Sequence, residues 1–160
     1  MIILGIDPGL KATGYGVVHF ESNINKLLEA GTIEPKQKSP IQDKIGRIYS
    51  IVGELIDNYR PDVLVLEKLF AHYKHPITAA IMGHARGVIC LLCSQKKVRL
   101  SELSPKRVRK AVTGNGNASK VQTKRVVAYL LKVDEEKLTL DASDALALAL
   151  GFTQIEGRLG

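Results

Sequence analysis

The chain has 160 residues, of which 45% are hydrophobic and 24% charged, with two cysteines and no tryptophan. That length suits one compact domain over 1–160 with a real buried core, and two cysteines exclude a disulfide framework. A formal charge of +7 and a pI near 9.5 point towards a polyanionic partner.

The N-terminal run IILGID, residues 2–7, is apolar and ends in an aspartate, and Asp7-Pro8-Gly9 marks a turn. GYGVVHF at 14–20 reads as a second strand, so 2–20 is expected to form a hairpin, and 26–34 supplies a third strand. Ile41, Ile45, Ile48, Val52, Leu55 and Ile56 recur at helical spacing. Ser39 is expected to cap that helix, Pro40 to fill its first position and Pro61 to stop it. DVLVLEK at 62–68 is a short continuous apolar strand of the kind buried on both faces of a parallel sheet.

A helix is expected over 76–96. Its apolar part, Pro76 to Cys93, carries His84 and Arg86 near its centre, so it reads as a buried helix and not a membrane span. Cys90 and Cys93 within it read as small hydrophobes on one helix face, which suits a reducing, cytoplasmic setting. The opening MIILGIDPG lacks the basic n-region of a signal peptide. A strand at 97–103, short helices at 105–111 and 119–131, and a last helix LDASDALALALGFTQIE complete the chain. A three-strand meander followed by a strand–helix–strand unit implies an α/β fold, a mixed sheet with helices on both sides.

Four acids stand out. Asp7 and Glu67 each close an apolar strand, where a carboxylate is costly without water, a cation or hydrogen bonds. In open α/β sheets ligands gather at that edge. Asp141 and Asp144, three apart, share a helix face and lie in the expected first turn, where the helix dipole favours negative charge. Each has a bland alternative: turn chemistry for Asp7, a solvent-reaching strand end for Glu67, helix-start decoration for the pair. Together they suit hard divalent cations, Mg²⁺ or Mn²⁺, two of which can activate water and stabilise the leaving oxygen of a phosphodiester. His72 and His75 read as basic loop residues.

Between Gln95 and Lys132 eleven lysines and arginines face a single acid, Glu102, so this window carries +10 and leaves −3 for the remainder. Lys106, Arg109, Lys120 and Lys124 lie within it. So large an imbalance favours phosphate contacts over a merely solvated face. TGNGNASK is a glycine-rich loop opening a helix, a weak phosphate-binding signal. Phe70 and Tyr73 interleave with Lys68 and Lys74 after Glu67, suited either to stacking on unpaired bases or to covering the core.

In order and spacing, ILGIDPG with TGYGVV, EKLF, GHARGV, SPKRVRKAVTG through GNASKVQ, and DASDALALAL span nearly the whole chain. In these pieces the chain resembles the RuvC family of bacterial Holliday-junction resolvases, within the RNase H-like superfamily. The resemblance implies a five-stranded mixed sheet flanked by helices. It implies that Asp7, Glu67, Asp141 and Asp144 are the catalytic, metal-holding acids, that Phe70 stacks on a base, and that Arg109 and Lys120 contact DNA. Arg109 stands where some relatives have lysine, which keeps the charge but changes the phosphate geometry. It further implies a homodimer making paired symmetric cuts in a four-way junction, with 5′-phosphate and 3′-hydroxyl products, and the branch-migration partners RuvA and RuvB. Two other readings compete: a junction-binding module without catalysis, and an ATP-binding protein of the actin-like fold, since IDPGLKATGYG also looks like a phosphate loop.

Overall fold

The structure is a computed structural model and describes residues 1–9, 11–36, 38–69 and 76–156. Ile2–Asp7 forms β1, Thr13–Glu21 β2, Ile24–Ile33 β3, Ile41–Tyr59 α1, Val63–Glu67 β4, Pro76–Lys96 α2, Arg99–Leu103 β5, Pro105–Thr113 α3, Lys120–Leu131 α4 and Leu140–Glu156 α5. The five strands make one sheet in the order β3-β2-β1-β4-β5. The β1–β2 and β2–β3 pairs are antiparallel, and β1–β4 and β4–β5 are parallel. The β2–β3 hairpin turns on Ser22 and Asn23, both left-handed with φ of 50° and 62°. Such two-residue turns match the twist of the strands they join.

Strand alternation divides the interior in two. Ile3, Val63 and Val65 pack with α3, α4 and α5, while Leu4, Ile6, Leu64 and Leu66 pack with α1 and α2. The mixed sheet with helices on both faces is therefore as expected.

Three local expectations are corrected. Ser39 does not cap α1: its hydroxyl donates to the Lys36 carbonyl at 2.8 Å, and Pro40 is the N-cap, its carbonyl accepting from Asp43 and Lys44. Arg60, left-handed at φ 46°, caps that helix directly before Pro61, which stops it as expected. The stretch at 76–93 is not a buried helix. On α2 only Ala85, Ile89, Leu92 and Cys93 are buried, whereas Ile77 is 75% and Leu91 50% exposed, and Cys90 is exposed as well. The sheet and α1 fully cover a single stripe of α2, Ala79, Ile81, Met82 and Val88 are half-covered, and Ile77, Ala80, Cys90 and Leu91 stand exposed. By length and composition α2 alone would pass for a membrane span, yet its inner stripe is part of a core shared with β1 and β4.

Candidate active site

Period-two alternation places the first two acids. Asp7 follows Ile3 and Gly5 on the α5 face of β1, and Glu67 follows Val63 and Val65 on the same face of β4. The parallel register pairs Ile6 with Leu66, so the two carboxylates stand at adjacent strand ends one residue further on. Both are half-buried.

The second pair arrives on α5, which lies on a bed of strand glycines. A Cβ at Gly5 would stand 2.0 Å from the Ala145 carbonyl oxygen, and one at Gly14 would stand 1.9 Å from that of Asp141. Gly14 is the β2 residue paired with Asp7. Its missing side chain therefore lets the start of α5 rest beside Asp7. Thr139 fixes the same end: its Oγ1 accepts the Ala142 amide at 3.1 Å and shares a hydrogen bond with Thr32 of β3 at 2.8 Å. Asp141 is in the first turn as expected, but Asp144 lies beyond it, one turn deeper along the helix.

Electrostatics joins what the backbone brings together. Burial pushes the Asp7 carboxyl up to about 7, reinforced by Glu67, Asp144 and Asp141 and opposed by Lys120. The Glu67 carboxyl is also raised, first by burial and then by Asp144, against the pull of Lys120, Arg109 and Arg86. Lys120 donates to Asp144 Oδ2 at 2.5 Å, and this bond raises the lysine. Glu67, Arg109, Lys120 and Asp144 line one cleft. An adjoining cavity of about 270 Å³ is bounded by Asp7, Glu67, Met82 and Arg86. Arg109, which lines the first cleft, has a buried Nε without a hydrogen-bond partner among the described residues.

The expected acids thus converge, and Arg109 and Lys120 converge with them. Lys106 is exposed and Lys124 half-exposed, and neither lines this cleft. Phe70, Tyr73, Lys74, His72 and His75 lie outside the described residues.

The donor set suits a hard divalent cation in two respects. It is all carboxylate oxygen, and its mutual repulsion, seen at Asp7, is what such a cation relieves. Among the described residues, however, no three histidine, cysteine, aspartate or glutamate side chains are gathered tightly enough to grip an ion, and Asp144 is engaged by Lys120.

Two contributors were missed by sequence reasoning. Arg86 of α2 reaches both the Glu67 carbonyl and the Glu102 carboxylate. Its charge inside an apolar helix was noticed only as evidence against a membrane span. The glycines of β1 and β2 were read simply as strand residues, although glycine within a strand is a signal of close backbone approach.

Residues 3–152 match the family described as crossover junction endodeoxyribonuclease RuvC. A protein of that name from Rhodopirellula baltica is 40% identical over 148 residues, covering 92% of this chain and 83% of that protein. The Thermus thermophilus RuvC structure superposes with a TM-score of 0.88 at 29% identity, covering 100% of this chain and 97% of that one. T. thermophilus RuvC in complex with a Holliday junction substrate gives the same TM-score and coverage at 26% identity. Nothing in these matches favours a catalytically inert module or an ATP-binding protein. With an RNase H-like five-stranded sheet and a family match over residues 3–152, the chain belongs to the RuvC family of crossover junction endodeoxyribonucleases.

Proposed function

We propose that this chain, as one domain over 1–160, resolves four-way DNA junctions by divalent-metal-dependent hydrolysis, using Asp7, Glu67, Asp141 and Asp144 as the catalytic acids. The observation that carries the reading is the approach of Asp7, Glu67, Asp141 and Asp144 to one another from β1, β4 and α5, with Glu67 and Asp144 lining a cleft that also holds Arg109 and Lys120. Mg²⁺ is the proposed metal, with Mn²⁺ able to replace it and two ions per site, all held by the four acids. The metal supplies Lewis acidity towards the phosphate and a more acidic water.

The chain's own residues do the rest. Lys120 and Arg109 approach the phosphate as cations, and Lys120 stabilises the charge that grows on it in the transition state. Lys106 and Lys124 extend the contact along the backbone of a junction arm. Phe70, three residues beyond Glu67, stacks on a base near the exchange point, a role that rests on the family resemblance. Both products carry ligatable ends, 5′-phosphate and 3′-hydroxyl.

Paired cuts in strands of like polarity need two sites related by a two-fold axis, so the working form is a homodimer. The uncovered face of α2, with Ile77, Ala80, His84, Gly87 and Leu91, is the surface proposed for it. RuvA and RuvB are the proposed branch-migration partners, and the cytoplasm the proposed location.

The test uses a synthetic four-way junction, incubated with Mg²⁺ or with chelator. Symmetric nicks that appear only with metal and can be sealed by ligase are expected. Asp7→Asn should bind the junction and leave it uncut, because the amide preserves shape and removes a charge. Cutting by Asp7→Asn within about tenfold of the parent rate, about 1.4 kcal/mol of barrier, would overturn the site assignment.

A further inference from the structure

Arg86 sits on the inner side of α2, its side chain only 14% exposed, and aims across the ends of two parallel strands. One guanidinium nitrogen, Nη1, donates to the backbone carbonyl of Glu67, where β4 ends. The other, Nη2, donates to the carboxylate of Glu102 on β5. The next amide along, that of Lys68, donates to the Leu103 carbonyl at 2.8 Å and closes the β4–β5 ladder. Glu67 is therefore held on both sides of its carbonyl carbon, by the guanidinium at its own oxygen and by the ladder at the following nitrogen.

Glu102 gives this arrangement its meaning. It is the only acid between residues 95 and 132, among eleven lysines and arginines. A carboxylate there opposes the approach of phosphate. Its partner in the structure is Arg86, so its contribution is to hold that fork. A lysine could reach the carbonyl or the carboxylate, whereas a planar guanidinium spans both. The adjoining turns of α2 carry His84 and Gly87 on the exposed apolar face, so the fork also ties that face to the strand end.

We propose that Arg86, fixed by Glu102, is a positioning residue that sets the direction in which the Glu67 carboxylate leaves β4, and that it links the outer face of α2 to the cleft. This rests on the reading of Glu67 as a catalytic acid.

The test compares the parent with Arg86→Gln, Arg86→Lys, Glu102→Gln, the Arg86→Gln/Glu102→Gln pair and Glu67→Gln. Single-turnover cleavage of a synthetic junction, junction affinity and amide exchange are measured well below each variant's melting temperature. Arg86→Gln should cut about 100-fold more slowly, the scale set by small misplacements of a catalytic group, with junction affinity essentially unchanged. Arg86→Lys should fail to restore the rate. Exchange should quicken at the Lys68 amide and not in α5. The paired variant should be no slower than Arg86→Gln, because both changes break one fork. If Glu67→Gln is inactive while Arg86→Gln cuts within about threefold of the parent, less than 1 kcal/mol of barrier, the fork falls and the site reading stands. Multiplicative losses in the pair overturn the fork as well. If Glu67→Gln cuts normally, the site reading falls and takes the fork with it.

Discussion

Two long apolar helices, α2 and α5, are treated in opposite ways by the same sheet. From Ala142 to Thr153, α5 is buried at every position but Asp144, whereas α2 hides four residues of twenty-one. Hydrophobicity does not separate them. The difference lies in what they rest on: α5 meets Gly5, Gly14 and Gly16, where strand backbone replaces side chains and the helix sinks in. Opposite α2 the sheet offers Leu4, Ile6, Leu64 and Leu66, large side chains that support one stripe and keep the rest of the helix at a distance. A helix seated on backbone is held rigidly enough to carry Asp141 and Asp144. A helix seated on side chains keeps an apolar face for another surface.

The sharpest way to break this contrast is Gly14→Ala. Its methyl would meet the Asp141 carbonyl, and the helix must lift away from Asp7. A loss of about 3 kcal/mol of stability, at the upper end of overpacking costs, and loss of cleavage are expected from urea melts and a junction assay. Preserved stability would mean that α5 does not sit so deep.

On the other helix, Leu91→Glu places a charge on the exposed face. Monomer stability should change by no more than about 0.5 kcal/mol, yet light scattering at micromolar concentration should turn from dimer to monomer. A variant that stays dimeric removes α2 from the interface.

A third experiment uses the burial of Asp7 among like charges. Its carboxyl is raised from 3.8 to about 7 in the fold. Such a group contributes stability below pH 4 that is lost as pH rises through 7, because the unfolded chain releases this proton more readily. Asp7→Asn should therefore melt higher than the parent at pH 8 without metal, by about 1–3 kcal/mol after screening by cleft water, with the gap closing towards pH 4. Added Mg²⁺ should stabilise the parent more than the variant. Equal melting at pH 8 would show that Asp7 is not strained by its neighbours.

The smallest effect is at Gly83 and Gly87 of α2, where an added Cβ meets nothing within 4 Å. Alanine at either should raise monomer stability by up to about 1 kcal/mol through helix propensity. This is the reverse of Gly14→Ala, and calorimetry of the monomeric Leu91→Glu background would read it.

Much of this was legible beforehand because strand alternation and helical spacing are local. Among the described residues each strand and helix fell close to where the apolar pattern put it, and a short 3-10 turn at Glu135–Lys137 was the one element not foreseen. Asp7 and Glu67 stood out because a carboxylate at the end of an apolar run is expensive, and Asp141 and Asp144 because three-residue spacing puts them on one helix face. Three matters were not legible. As a cap the Ser39 hydroxyl would accept an amide of the helix, whereas it donates backwards to the Lys36 carbonyl, and helical spacing alone does not choose between the two. The burial of α2 depended on the size of side chains on β1 and β4, which lie outside its own helical pattern. The Arg86 fork required β5 to lie beside β4, which no local pattern states.

The glycine seat of α5 also bears on how the enzyme comes into being. Asp7 is synthesised well before its neighbours across the sheet, which wait on distant segments. The β1–β4 pairing joins residues sixty apart, and the seat is filled only by the last helix. Contacts so far separated in sequence close late and slowly. A nascent chain that has made β1 to β4 displays a bare groove of Gly5, Gly14 and Gly16 and has no Asp141 or Asp144 to complete its cleft. With the four acids acting as proposed above, no state that can cut DNA forms until α5 has docked. For a nuclease, the order of the chain is then a safety catch. The same order makes the unfilled groove the stretch most in need of shielding while translation finishes.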